Sequence, residues 1–228
     1  MTRALIRKPS SGIFLLTTRH WGLLFASATL SFLLLLARTI YTGRFAFWFL
    51  VWNLFLAFLP LLFSEYISRR SQNANYPGWK LLVLGIVWML FIPNSFYMIT
   101  DLFHLYDSSL MPIWFQLLLI FCFTWTAIIM GILSIRQVEE ILRMKFKSRF
   151  PATIYPIMFL VALGIYVGRF MRYNSWDVVT NPFALVEDII NLFFHPLQYR
   201  AAWAMVACFS CLFYVIYHSF RTLARVLK

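Results

Sequence analysis

The sequence predicts an all-α fold, a polytopic bundle of six transmembrane helices that forms one integral membrane domain over residues 1–228. Three observations carry this reading. Hydrophobic residues make up 62% of the chain and charged residues only 12%, about half the charged share of a soluble domain. Six apolar runs are long enough to cross a hydrocarbon layer, which takes about 20 helical residues. Lys and Arg lie between these runs, and they favour alternate segments.

The runs are Trp21–Ala37, Phe45–Phe63, Trp79–Ile99, Pro112–Ile135, Pro151–Gly168 and Tyr199–Phe220. They must be helices, because an open strand in lipid would leave backbone N–H and C=O groups without partners. Trp21, Tyr41, Trp79, Trp114 and Tyr199 stand near run ends, as interfacial anchors do. The first run follows Arg3, Arg7, Lys8 and Arg19 without a small-residue cleavage pattern, so it reads as an uncleaved signal anchor.

Six spans place both termini on one side. That side carries 15 of the 20 Lys and Arg residues: the four above, then Arg69, Arg70 and Lys80, then Arg136, Arg143, Lys145, Lys147 and Arg149, then Arg221, Arg225 and Lys228. Arg38, Arg44, Arg169, Arg172 and Arg200 fall opposite. The positive-inside rule makes the richer side cytoplasmic, giving an N-in, C-in topology. The same spacing explains the net charge of +12 without nucleic acid as a partner.

The connections differ. Ser64–Asn75 reads as a polar cytoplasmic loop, and Arg136–Arg149 as a basic loop with a short surface helix facing anionic headgroups. Between spans five and six, Asn181 and Pro182 suit the cap and first position of a helix that stops at His195, before Pro196. Glu187, Asp188, Asn191 and His195 share one face of it and apolar residues the rest, an amphipathic helix for the outer surface.

Polar residues gather in two places. Pro93–Leu105 (PNSFYMITDLFHL) ends the third span. Pro93 should kink or break the helix and leave Asn94 to cap the freed amides. Asn94, Tyr97, Asp101 and His104 then fall within about 80° of one another on a continuing helix. Gly164–Asp177 (GIYVGRFMRYNSWD) ends the fifth span. Gly164 and Gly168 permit close helix approach, and Arg169, Arg172, Asn174 and Asp177 follow. Both stretches belong to the outer face, where Asp101 or Asp177 would pair with Arg169 or Arg172. In the middle of the bilayer the best polar candidate is Asn53, whose simplest role is a bond to a neighbouring helix.

Trp52–Pro60 (WNLFLAFLP), Pro93–Leu105 and Gly164–Asp177 together resemble the bacterial membrane proteins of domain-of-unknown-function family 1361. The resemblance spans roughly residues 20 to 220 and departs at Ser95, where Ala or another small residue is more usual. It implies a protein of the bacterial cytoplasmic (inner) membrane and supplies no reaction.

The function that fits best is an outer-face site for a ligand, an anionic lipid headgroup or another amphiphile. Its candidate residues are Asn94, Tyr97, Asp101, His104, Arg169, Arg172, Asn174 and Asp177. His104 is the candidate acid or base with Asp101 to orient it, and the arginines would hold a phosphate or carboxylate. Asp101 and His104 also make a weak metal pair that would need His195 or Glu187 in addition. No nucleophile motif accompanies them, and the sequence specifies no cofactor. A scaffold for a membrane-protein partner and a small-solute transporter are the alternatives. The transporter is disfavoured because no Asp, Glu, Lys or Arg occupies mid-membrane. Cys122, Cys208 and Cys211 lie inside apolar runs and read as packing residues.

Overall fold

The computed structural model describes residues 15–73, 76–106, 110–146 and 151–226. Of the basic residues that set the predicted orientation, Arg3, Arg7, Lys8, Lys147, Arg149 and Lys228 lie outside them. Along the chain run α1 (Thr18–Thr42), α2 (Phe49–Ser71), α3 (Gly78–Tyr97), a 3-10 helix (Met98–Tyr106), α4 (Ile113–Phe146), α5 (Pro151–Arg169), α6 (Asp177–Thr180), α7 (Pro182–Phe194) and α8 (Arg200–Val226). No strand occurs among the described residues.

Among the described residues five stretches are long and apolar enough to cross a membrane: Thr18–Thr42, Phe49–Ser71, Gly78–Tyr106, Ile113–Met144 and Arg200–Ala224. The fifth predicted run forms α5, which over Ile154–Arg169 is apolar but shorter than the other five. Large apolar side chains cover the outside of the bundle, with Phe25 at 78% and Ile40 at 83% exposure. Water does not favour such a surface and lipid does.

The centre of the bundle packs α3, α4, α5 and α8 around Trp88, Ile92, Phe96, Val161, Ile165 and Phe213. Two glycines let helices approach closely. A Cβ on Gly131 would stand 2.7 Å from Phe96 Cε2 and 2.9 Å from Ser95 Cβ, and one on Gly164 would stand 2.6 Å from Pro93 Cγ. The close approach expected of Gly164 therefore occurs, against α3. At Gly168 the nearest atom would be 3.5 Å away, an ordinary contact.

Three local expectations are corrected. The segment read as a loop from Ser64 is helical to Ser71, because Glu65 is neutralised where it stands. Arg69 Nε donates to its carboxylate at 2.9 Å, Gln137 Nε2 at 2.5 Å and the Leu16 backbone N–H at 3.4 Å. The basic segment from Arg136 is not a loop with a separate helix either. Helix α4 continues to Phe146 and is 34 residues long, about 51 Å at the α-helical rise. Three of its charges are paired: Arg221 pairs with Glu139 at 2.8 Å, Tyr217 donates to the same carboxylate, and Arg136 meets Glu140 at 3.9 Å.

Of the kink or break expected at Pro93, the break does not occur: α3 runs on to Tyr97. The carbonyls beside the proline find side-chain donors instead. Asn94 Nδ2 donates to Phe91 O at 3.1 Å, and Ser175 Oγ to Leu90 O at 3.3 Å. Asn94 thus donates to a carbonyl instead of capping amides. The change of helix comes at Met98, where α3 tightens to 3-10 pitch. Thr124 Oγ1 holds that junction by donating to Met98 O at 2.9 Å.

Candidate functional site

The start of α2, the 3-10 helix, the end of α5 and the segment through α7 meet at one end of the bundle, called here the upper end. Arg169 is the last residue of α5, so its side chain leaves the helix where the 3-10 turn passes. One guanidinium nitrogen donates to Tyr97 Oη at 3.1 Å and Asp101 Oδ1 at 3.3 Å. The other reaches Thr100 O at 3.1 Å and His104 Nε2 at 2.9 Å. A guanidinium only donates, so Nε2 of His104 accepts and, in the neutral ring, the proton sits on Nδ1. The cation also lies 5.5 Å from the Tyr97 ring centroid and 5.6 Å from that of Phe103.

The second oxygen of Asp101 accepts from Asn53 Nδ2 at 3.0 Å. The Asp101 side chain is fully buried, and that of Arg169 is 16% exposed. A buried carboxylate is tolerated when its charge and its lone pairs are matched, and both conditions hold here. The tightened 3-10 helix does not scatter the predicted face: Tyr97, Asp101 and His104 all reach Arg169. They close on it as a lock, each already bonded to the guanidinium.

Asn94 lies beside this lock, with Nδ2 shared between Phe91 O and Ser175 Oγ, the latter at 3.1 Å. Arg172 and Asp177 stand apart from it. Arg172 is exposed and takes a left-handed backbone, φ 62°, where the chain turns after α5. The contacts of Asp177 are local, so the pairing expected with an arginine falls to Asp101 alone. The Asn174 backbone N–H donates to Asp177 Oδ2 at 2.6 Å, its Nδ2 to the same oxygen at 3.4 Å, and Thr180 Oγ1 to Oδ1 at 2.9 Å. These donors, the Asn174 amide first, hold the Asp177 carboxyl below the usual carboxylate range.

The amphipathic helix forms as α7. Pro182 takes its first position, but Asn181 makes no side-chain cap bond. Tyr173 Oη donates to Asp188 Oδ2 at 2.8 Å, which pushes the Tyr173 phenol up. Trp203 Nε1 of α8 donates to Leu192 O at 3.2 Å. His195 and Glu187 belong to α7 and its end; among the described residues no three His, Cys, Asp or Glu side chains gather as a metal site.

A cavity of about 330 Å³ opens beside the lock. Its walls are apolar: Trp52 and Leu56 from α2, Met89 and Leu90 from α3, Leu160 and Leu163 from α5, with Leu185 and Ile189 of α7 over it. Its polar lining is Asn53, Asn94, Tyr97, Tyr173, Asn174 and Ser175. Among the described residues no Lys, Arg, Asp, Glu or His lines it. Asn94, Tyr97 and Asn174 were legible in the sequence as site candidates. Asn53, Tyr173 and Ser175 were not, although an Asn inside an apolar helix was the available signal for the first.

A bundle of long apolar helices with a buried ionic lock and a half-polar cavity at one end defines a helical protein suited to a lipid bilayer. The family model for a protein of unknown function, DUF1361, matches residues 52–216, and the chain belongs to that family. The matched range starts at Trp52, on the cavity wall, and takes in both partners of the lock. No curated protein and no solved structure matches the chain.

Proposed function

We propose that this protein crosses the cytoplasmic membrane six times, with both termini inside, and binds an amphiphile in the cavity at its outer end. The cavity itself carries the reading. Apolar walls continue into a rim of amide and hydroxyl groups, the profile of a molecule with a tail and a polar head. The orientation rests on where the basic residues gather. Among the described residues Arg19, Arg69, Arg70, Lys80, Arg136, Arg143 and Arg221 lie toward the end joined by Glu65, Gln137 and Glu139, against Arg38, Arg44, Arg169, Arg172 and Arg200 toward the other. Helix α5 would be the remaining crossing, the fifth in chain order, its shorter length accommodated by local thinning of the bilayer.

Binding without catalysis is the form proposed, because His104 and Asp101 are already committed to Arg169. The test is native mass spectrometry of the protein purified in a mild uncharged detergent, beside a Leu163→Trp variant that fills the cavity. The wild type should carry a bound amphiphile that the variant lacks. Equal retention, or none in either, would remove the proposal. The paired state of the lock favours a second reading, a scaffold for a membrane-protein partner. In that case cross-linking in membranes should trap a partner equally well with both forms.

A further inference from the structure

We infer that the cavity is a bay in the lipid-facing wall of α3, entered sideways from the leaflet at the upper end, and that its occupant is a membrane lipid whose chain stays in the bilayer along Leu82, Ile86 and Leu90. This rests on the amphiphile reading above and names the source and the seat of that ligand.

At about 100° per residue, Leu82, Ile86, Leu90, Pro93, Asn94 and Tyr97 of α3 fall within about 120° of one another. The lower three are exposed, Leu82 at 66%, Ile86 at 55% and Leu90 at 37%. The upper three are half-buried and floor the cavity, and Leu90 lines it too. Trp88, Ile92, Ser95 and Phe96, on the other side of the helix, are buried in the bundle. One stripe therefore runs from the lipid-facing surface into the cavity, with no charge and no buried turn between. Helix α5 repeats the pattern. Leu160 is exposed and lines the cavity below Gly164 and Gly168, and the exposed Pro156 precedes it on the same face. Ser175 marks the rim. Its Oγ donates to Leu90 O at 3.3 Å and accepts from Asn94 Nδ2 at 3.1 Å, where the stripe passes from open to covered.

Depth and size point the same way. The floor from Met89 to Tyr97 lies inside Gly78–Tyr106, a stretch apolar enough to cross a membrane. Nine residues of that stretch, Met98–Tyr106, follow the floor, and Phe103 and Tyr106 among them are exposed. The mouth beside Leu90 and Leu160 therefore faces hydrocarbon and not bulk water. The roof fits this depth. On α7, Leu185 and Leu192 are buried against the bundle while Phe183, Val186 and Ile190 are exposed. A helix apolar on its outward side as well belongs at the boundary of headgroups and chains. The cavity holds about 330 Å³, the small end of the roughly 300–1,000 Å³ that ligand pockets enclose. That admits a head group and the first carbons of a chain. The rest of a lipid must leave the cavity, and the α3 stripe is an apolar way out.

The test is photolabelling in nanodiscs of mixed phosphatidylethanolamine and phosphatidylglycerol. Each lipid carries a diazirine either midway along one chain or on the head group, and labelled peptides are mapped by mass spectrometry. Leu163→Trp fills the cavity. Leu160→Trp narrows the mouth at a position already partly exposed, so it leaves the packed interior alone. The chain probes should label the Leu82–Leu90 peptide more strongly than the α1 peptide holding Leu23 and Phe25, which are exposed to lipid without a cavity. The head probes should label the Tyr173–Val178 peptide. Both variants should abolish these two excesses and leave the α1 labelling as it was, which also reports an intact bundle. Loss of head labelling with unchanged chain labelling at Leu82–Leu90 would overturn the bay and leave the amphiphile reading standing. Labelling that neither variant alters would overturn the bay as well. The amphiphile reading would then survive only if native mass spectrometry still finds a ligand that Leu163→Trp lacks.

Discussion

Replacing Arg169 by Met tests whether the lock is structural. Met keeps the length and apolar stem of Arg and removes every donor. Tyr97, Thr100 O and His104 would each lose a partner. Asp101, whose side chain is fully buried, would keep only Asn53. Breaking a buried pair in this way costs about 3–5 kcal/mol, chiefly for the charge left behind, or roughly two to three and a half orders of magnitude in the unfolding constant. Asp101→Asn should cost less, about 1–3 kcal/mol, because the partly exposed Arg169 keeps its other three partners. In the double variant neither charge remains, so its loss should fall below the sum of the singles by at least about 1.5 kcal/mol. The assay is reversible unfolding in mixed micelles with increasing dodecyl sulfate, read by tryptophan fluorescence. Strict additivity, or an Arg169→Met protein within about 0.5 kcal/mol of wild type, would refute the lock.

Arg38 presents the opposite case. Its side chain is fully buried on α1, stacked 4.1 Å from the Phe47 ring centroid, and among the described residues none of its guanidinium nitrogens has a hydrogen-bond partner. Arg38→Met should therefore stabilise the protein by about 1–4 kcal/mol in the same assay; a loss of stability would show that the cation is balanced by something bound in the membrane. Two glycine substitutions should part company. Gly131→Ala would drive a methyl to 2.7 Å from Phe96 and cost about 1–3 kcal/mol. Gly85→Ala meets nothing within 4 Å and should gain about 0.5–1 kcal/mol from helix propensity. Equal shifts in their unfolding midpoints would count against the close α3–α4 contact.

Much of the fold was legible because lipid imposes simple rules on sequence. Apolar runs marked the long helices, and Pro182 with Pro196 bracketed α7 closely. What misled was treating charge as the end of a helix. Glu65, Arg136 and Glu139 lie beyond the apolar runs, yet each is helical, because a charge with a partner on the next helix does not stop a helix from propagating. Those partners are distant in sequence: Glu65 meets Gln137, and Glu139 meets Tyr217 and Arg221. Asn53 was misplaced for a related reason. A span drawn from Phe45 to Phe63 puts it at mid-membrane. Helix α2 in fact starts at Phe49, so Asn53 lies near its upper end, within reach of Asp101.

The candidate site was legible as chemistry and not as geometry. A run holding Tyr97, Asp101 and His104 and another holding Arg169 announced an ionic cluster at one depth. Nothing local could say whether the cluster would open onto a cavity or close on itself, since that depends on how far α5 stands from α3. Gly164 against Pro93 sets that separation, and it is small enough for Arg169 to satisfy four partners at once. The ionisable residues thereby become the frame, and the neutral residues beside them become the surface a ligand would meet. Asn53 and Tyr97 belong to both: each bonds to the lock with one atom and lines the cavity with the rest. A perturbation of the lock should therefore reach the cavity through these two side chains.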